Sequence, residues 1–301
     1  MSVLERYEPL VDDFEAFRAA CERPLPSVVR VNTLRTTVER ARRALDEVDV
    51  RYESVEWHPG LLALEGQAGA NWPYVHGWLH GQEEVSALPA RVLDPAPGER
   101  VWDACAAPGS KTTQLAALMD DRGLLVATDD NLGRLSALRS NTERLGVTNV
   151  AVTNEDARVH SLSPFGGEPY DRALVDVPCS CEGTVRKNPD TLDEWTLDHI
   201  RGIAGAQKGI LRRAVQATRP GGTIVYSTCT FAPEENEGVL DYVLAEESCR
   251  LVALDLPLDS SPGVTEWDGQ EYDPSVTQAR RIYPHQNDTG GFFCAKLAVT
   301  G

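Results

Sequence analysis

Two cysteines stand where they could do covalent chemistry. Cys179 lies in Asp176-Val-Pro-Cys-Ser-Cys-Glu-Gly-Thr184, and Cys229 lies in Tyr226-Ser-Thr-Cys-Thr-Phe-Ala-Pro-Glu-Glu-Asn-Glu237. Each segment follows an apolar run that reads as a strand. If those strands are neighbours, both thiols emerge at one carboxyl edge, where open α/β sheets bind ligands. A thiolate is a strong nucleophile, and a second thiol beside it lets one group attack while the other helps release. That division suits carbon 5 of a pyrimidine, which is too weak a nucleophile to accept a methyl group directly. Thiolate addition at carbon 6 makes carbon 5 enamine-like, after which a base removes its proton and the thiol is eliminated. Asp176 could hydrogen-bond or protonate the ring edge to stabilise such an adduct.

A second run, Asp103-Ala-Cys-Ala-Ala-Pro-Gly-Ser-Lys-Thr-Thr113, closes one strand and opens a helix. Its small residues let the backbone approach a ligand at a helix N-terminus. It matches neither the GxGxxG dinucleotide fingerprint nor the GxxxxGK[ST] phosphate loop. Asp129 ends the next strand, where a carboxylate typically holds ribose hydroxyls, and Asp156 follows the third strand in Asn154-Glu-Asp-Ala157, placed to accept from an adenine amino group. Either could be a plain helix cap taken alone, but their succession after consecutive strands favours ligands.

The elements that must position these residues begin at Gly98, from which short apolar runs alternate with helical patterns as in a parallel sheet with crossover helices. Strands are predicted over 100–105, 124–128, 150–153, 172–177, 223–227, 251–254 and 292–297. Helices are predicted over 111–119, 132–145, 192–217 with a break, and 234–245. The first 94 residues read as a small α+β domain with a helix over 4–21, a strand over 27–32 and a helix over 38–48. The Leu93-Asp-Pro-Ala-Pro-Gly98 stretch marks its boundary with a second domain over 95–301.

The chain's 42% hydrophobic and 25% charged content over 301 residues reads as globular rather than disordered. No run of 18 apolar residues occurs and the start lacks a secretory pattern, so a cytoplasmic protein without membrane contact is expected. Seven cysteines, an odd number, fit a reducing compartment without structural disulfides. Acids outnumber bases 46 to 29, only four of the bases are lysine, and the net charge is −17. Such a surface suits concentrated salt, where the Debye length falls to about 3 Å at 1 M, and points to a halophilic archaeon. The same charge opposes phosphate binding, so contact with RNA would lean on shape, stacking and a splayed-out base.

Together, Asp103-Ala-Cys-Ala-Ala-Pro-Gly109, Asp176-Val-Pro-Cys-Ser180, Ser227-Thr-Cys-Thr230 with Pro233-Glu-Glu-Asn-Glu237, and Arg281-Ile-Tyr-Pro-His-Gln-Asn-Asp-Thr-Gly-Gly-Phe-Phe293 resemble the Sun-related (NSUN) RNA cytosine-5 methyltransferases. The resemblance spans roughly residues 25 to 298. It implies a Rossmann-like class I methyltransferase fold, with a seven-stranded, mostly parallel sheet whose last strand is antiparallel, beside the small N-terminal α+β domain. It implies S-adenosyl-L-methionine as cofactor, with Cys229 as nucleophile, Cys179 assisting proton removal or release, and Asp176 beside the target base. The cofactor set is then Ala106, Ala107, Pro108, Gly109, Ser110, Lys111, Asp129, Arg134, Asp156 and Asp176. Compact archaeal members of the family act mostly on tRNA, so tRNA is the expected partner. Ser110 and Cys181 depart from the pattern, which usually shows glycine at both places.

Arg186 and Lys187 after the Pro-Cys loop, and Arg280 and Arg281 near Tyr283, are expected to contact RNA. Arg30, Arg35, Arg40, Arg42 and Arg43 form a further cluster that solvated helix faces explain almost as well. Ribosomal RNA as substrate and a non-catalytic RNA-binding assembly factor are the rival readings, the second opposed by the intact thiol pair. Cys179-x-Cys181 lacks a second ligand pair nearby, so no metal is expected. His76 and His80 read as satisfied or exposed side chains, and Cys21, Cys105, Cys249 and Cys294 as core. Nothing in the sequence asks for more than a monomer, and no C-terminal RNA-binding domain is expected beyond the last strand.

Overall fold

The computed structural model describes residues 3–66, 69, 71–193 and 195–301. In chain order its elements are α1 (Phe14–Cys21), β1 (Ser27–Val31), α2 (Val38–Glu47), β2 (Tyr52–Ser54), β3 (Leu61–Leu64), α3 (Trp72–Val75), β4 (Leu79–Gly81) and α4 (Leu88–Leu93). Then follow β5 (Arg100–Asp103), α5 (Ser110–Leu118), β6 (Leu124–Asp129), α6 (Leu132–Leu145), β7 (Val150–Asn154), β8 (Tyr170–Asp176), α7 (Leu197–Ala217) and β9 (Thr218–Thr228). The chain closes with α8 (Glu237–Glu246), β10 (Cys249–Val252), β11 (Ser261–Pro262), β12 (Glu266–Trp267), β13 (Gln270–Glu271), β14 (Arg280–Ile282), α9 (Pro284–Asn287) and β15 (Phe292–Val299).

By contact the chain forms two compact units, Pro26–Asp156 and Met1–Leu25 with Ala157–Gly301. These cuts fall at residues 25/26 and 156/157, whereas the boundary near residue 94 is expected from the proline and glycine stretch over 93–98.

In the unit Pro26–Asp156, an antiparallel sheet of order β2-β3-β1-β4 buries Val29, Val31, Leu62, Leu64 and Leu79 against Ala41 and Leu45 of α2. Three parallel strands, β5-β6-β7, follow in register, with Asp103 opposite Ala127 and Asp129 opposite Asn154. Leu125, Val126 and Ala127 are fully buried, as strands covered on both faces should be. α6 starts because the Asn131 side chain accepts from the N–H groups of Gly133 and Arg134, and ends at Gly146 in the left-handed conformation.

In the other unit β8 and β9 run parallel, and β9 pairs antiparallel with β15, the last strand. β15 also pairs with β10 and β14, and β14 with β11. The seven strands expected from sequence are all present, and the mostly parallel α/β class with an antiparallel final strand holds. α7 is one unbroken helix of 21 residues, capped by Thr196 through the N–H of His199. The break expected inside it falls ahead of it instead, where Pro189–Leu192 makes a separate 3-10 turn and position 194 lies outside the described residues. Likewise the helix expected over 4–21 divides into a 3-10 turn over Leu4–Leu10, which contains Pro9, and α1, which starts afresh at the Asp13 cap. Among the described residues no helix is long and apolar enough to cross a membrane.

Candidate active site

The thiols meet because β8 and β9 are parallel neighbours. Asp176 and Ser227 are paired across the ladder at their carboxyl ends, and the Ser227 hydroxyl donates to the Asp176 carboxylate at 2.7 Å. Three residues past Asp176 and two past Ser227, the Sγ atoms of Cys179 and Cys229 lie 3.3 Å apart. Cys181 brings a third thiol, its Sγ 3.7 Å from that of Cys179 and 3.0 Å from the Cys179 carbonyl oxygen. Contacts with Cys181 and Cys229, reinforced by burial, push the Cys179 thiol well above its ordinary pKa. Cys229 feels opposed influences. Its hydrogen bond with Cys179 favours the thiolate, whereas Cys181, burial and the Asp176 carboxylate push the pKa up and prevail. The pair therefore rests protonated, with Cys179 placed to support charge on Cys229 once that charge is drawn out.

A framework of buried acids that the sequence reading did not single out holds both thiol loops. Glu182 accepts from the Tyr7 hydroxyl at 2.7 Å, the Trp195 indole N–H at 2.8 Å, the Ser180 hydroxyl at 2.7 Å and the Thr230 hydroxyl. Glu235 accepts from the Ser180 N–H at 3.1 Å and the Gln207 amide at 2.8 Å, and the Ser180 hydroxyl, with its single proton, is shared between Glu182 and Glu235. Ser180 follows Cys179 and Thr230 follows Cys229, so these two carboxylates tie one loop to the other through residues adjacent to the thiols. Burial is the main reason that the Glu235 carboxyl is pushed up to about 7. The loops are also joined by backbone, since Gly183 N–H donates to the Cys229 carbonyl at 2.9 Å and Gly291 N–H to the Gly183 carbonyl at 2.8 Å. A Cβ on Gly183 would lie 2.4 Å from the Gly291 carbonyl oxygen.

Pro233-Glu-Glu-Asn-Glu237 could start a helix on composition alone, but α8 begins only at Glu237 because the residues before it turn inward. Glu234 pairs with Arg6, Glu235 holds Ser180 and Gln207, Asn236 bonds Thr228 and Thr230, and Glu237 pairs with Arg281. One acidic pentapeptide thus braces four parts of its unit. The signal for this was the motif's adjacency to Cys229, a stretch in which helix-start residues are oversupplied.

Within Pro26–Asp156 the expected cofactor residues gather around the β5–α5 turn. Ala106 and Ala107 are buried, Pro108 is exposed, and Gly109 has φ +104°, a conformation that excludes most side chains. A Cβ on Gly109 would come within 2.7 Å of Leu138, so this glycine serves the packing of α6 as well as the turn. Asp129, at the end of β6, accepts from the backbone N–H of Ala107 at 3.1 Å and of Asn131 at 3.0 Å, and lies 3.5 Å from Arg134. Those bonds leave lone pairs on a buried carboxylate at a strand end, acceptors that fit the hydroxyls of a ribose diol. Arg134 also donates to the Ala107 carbonyl, so part of its guanidinium fixes the turn itself. Lys111 reaches Ser86 at 3.1 Å, and Asp156 sits half-buried just past β7.

Ser110, one of the two departures from the family pattern, has a partner. His80 Nδ1 faces the Arg144 guanidinium at 2.9 Å, and arginine can only donate, so Nε2 carries the proton and donates to the Ser110 hydroxyl at 2.9 Å. Burial, with Arg30 and Arg144 nearby, pushes the His80 pKa down to about 3 and keeps the ring neutral. His80 is a satisfied buried histidine.

Two of the four expected RNA contacts are corrected. Arg186 is buried and donates to the carbonyls of Arg23, Pro24 and Thr289 and to Asp288. Arg281 is also buried, paired with Glu237 and donating to the Phe231 carbonyl. Both guanidinium groups are spent inside the fold, because a local run of bases in the sequence does not reveal which member turns inward. Lys187 is exposed and Arg280 half-buried. Of the N-terminal arginines, Arg30 is likewise internal, bonded to Gln82 and Thr113.

A family model described as 16S rRNA methyltransferase RsmB/F matches residues 90–298. The chain is 36% identical over 299 residues to a tRNA (cytosine(49)-C(5))-methyltransferase of Pyrococcus abyssi, covering 98% of this chain and 94% of the relative. It is also 36% identical over 292 residues to the ribosomal RNA small subunit methyltransferase F of Shewanella sp. strain ANA-3, covering 94% of this chain and 58% of that longer protein. The crystal structure of a methyltransferase homolog protein from Pyrococcus horikoshii matches with a TM-score of 0.85 at 33% identity, over 98% of this chain and 93% of the other.

Proposed function

The chain belongs to the RsmB/F, Sun-related family of RNA cytosine-5 methyltransferases, and from that premise we propose that it methylates carbon 5 of cytosine in tRNA, using S-adenosyl-L-methionine and a covalent adduct on Cys229. The observation that carries the reading is the pair of thiols 3.3 Å apart at the ends of adjacent parallel strands. The match to a tRNA enzyme over 98% of this chain and 94% of that relative supports tRNA; the chain spans about three-fifths of the bacterial ribosomal relatives.

The cofactor is held by the backbone from Ala106 to Lys111, by Asp129 and Arg134, and by Asp156. When bound it supplies an electrophilic methyl group on sulfonium sulfur. Cys229 loses its S–H proton to solvent and adds as thiolate to carbon 6 of cytosine, which would make carbon 5 a nucleophile toward that methyl group. Asp176 stabilises the adduct by hydrogen bonding to the ring edge while itself accepting from Ser227. After transfer Cys179 assists removal of the carbon 5 proton, and the Cys229–carbon 6 bond breaks to regenerate the thiolate. Residues 1–94 serve RNA binding and 95–301 catalysis, with Lys187 and Arg280 on the RNA. The enzyme is a cytoplasmic monomer of a halophilic archaeon.

Denaturing gels of protein–RNA mixtures test the roles. Cys229→Ala is expected to form no adduct, whereas Cys179→Ala accumulates one, and the reverse pattern overturns the assignment. For the substrate, cytosine-conversion sequencing of cellular RNA from a deletion strain should show methylation lost from tRNA. Loss confined to ribosomal sites refutes the tRNA reading.

A further inference from the structure

Three thiols, not two, converge where β8 and β9 end. Sγ of Cys179 is 3.3 Å from that of Cys229 and 3.7 Å from that of Cys181, and all three sulfurs lie within 4.8 Å of one another. Four-coordinate zinc binds thiolates at about 2.3 Å, which places tetrahedral sulfur ligands roughly 3.8 Å apart. The separations of 3.3 and 3.7 Å fall within about half an ångström below that value and the third stays within 4.8 Å, so one ion can satisfy all three after a small spreading of the sulfurs. Sequence alone argued against metal here because Cys179-x-Cys181 has no second ligand pair nearby. The fold supplies the missing ligand from 48 residues further on, as Cys229.

Cys181 itself is the telling residue. It takes φ +64°, a left-handed conformation that is strained for a residue with a Cβ and that glycine adopts freely. Its thiol nevertheless points back at Cys179, and no step proposed for methyl transfer uses it. The loops on which the three sulfurs sit are already fixed to each other, by Gly183 N–H on the Cys229 carbonyl and by Ser180 and Thr230 bonded together at 2.9 Å. The ligands are therefore positioned before any ion arrives.

We propose that Cys179, Cys181 and Cys229 form a three-thiolate site for a thiophilic divalent cation of the zinc type, with water in the fourth position. On binding, three S–H bonds are exchanged for three S–metal bonds, and the three protons leave to solvent. No oxidant or reductant takes part. Because Cys229 is a ligand, the loaded form has no thiolate to offer cytosine, and the ion acts as a reversible inhibitor.

The purified protein, kept reduced with a phosphine, is titrated with Cd²⁺ or Zn²⁺ alone. With Cd²⁺, thiolate-to-metal charge-transfer absorbance should rise linearly and stop at one equivalent. Cys181→Gly, which suits the backbone at that position, should weaken binding by more than the ~100-fold typical of losing an outer-sphere partner. Cys181→Ser, which keeps the size of the side chain, should weaken it as well. Zinc should stop methylation by the wild type at concentrations that leave Cys181→Gly active. Absence of a one-equivalent endpoint in the wild type, or wild-type affinity in both variants, overturns the site. The absorbance titration needs no RNA, so its failure is distinct from failure of the methyltransferase reading, which would appear as a metal-free protein that methylates nothing.

Discussion

The loops that carry the thiols and the turn that faces the expected cofactor solve the same mechanical problem with different materials. The thiol loops are held by side chains, with Glu182 and Glu235 each collecting donors from several segments. The β5–α5 turn is held mainly by backbone, through Gly109 in a left-handed conformation, small buried alanines and one carboxylate that accepts two main-chain N–H bonds. A nucleophile must sit at one place within tenths of an ångström, and side-chain networks fix such points. A ligand laid along the chain needs the backbone close to it, which leaves no room for side chains to do the holding.

The largest expected effect breaks the first of these. Glu182→Leu should lower unfolding free energy by about 4 kcal/mol, because the Tyr7 hydroxyl and the Trp195 indole lose their acceptor in a dry site and the Ser180–Thr230 hydroxyl pair keeps only Glu235. Denaturant unfolding measures it, and a loss under about 1 kcal/mol would mean that the acid is not the anchor. Next in size, Gly109→Ala should cost about 3 kcal/mol, from the left-handed backbone and the 2.7 Å approach to Leu138. Calorimetric affinity for S-adenosyl-L-methionine should fall by about tenfold or more, since 1.4 kcal/mol of misplacement suffices for that. A variant that binds normally would remove the backbone from the comparison.

Glu235 gives a smaller, pH-dependent effect. Its folded pKa of about 7 lies above the ordinary carboxyl value, so the folded state holds the proton more tightly than the unfolded state. Its stabilising contribution is therefore complete below the unfolded pKa and is lost as pH rises through 7. Between pH 6 and pH 8 the wild type should lose about 1.4 kcal/mol that Glu235→Gln does not lose. Thermal unfolding of both proteins across that range provides the check, and parallel curves would place the titration elsewhere.

The same contrast explains what could be read from sequence. The seven strands of the α/β core were legible because short apolar runs such as 124–127 and 173–175 announce covered strands. The meeting of Cys179 and Cys229 followed from one assumption, that β8 and β9 are neighbours, and that assumption holds. The short strands β2, β4 and β11–β14 were not legible, since two or three residues carry no period. Nor was the acid framework, because a glutamate's type does not say whether it faces water, and Glu182 and Glu235 bond to segments as distant as Tyr7 and Gln207. Arg186 and Arg281 were misplaced for the same reason.

The smallest effect sharpens the distinction at the turn itself. Ser110 stands at the first position of α5, where its hydroxyl accepts from His80 Nε2, and its backbone needs nothing that glycine would not supply. Ser110→Gly should therefore cost about 1 kcal/mol, the worth of one buried hydrogen bond, while the neutral ring stays fixed through Arg144 on Nδ1. If the turn is held by backbone, affinity for S-adenosyl-L-methionine should stay within about twofold of the wild type. If it falls tenfold with the fold intact, the His80–Ser110 contact positions the turn, and the cofactor side depends on side chains in the same way that the thiol loops depend on Glu182.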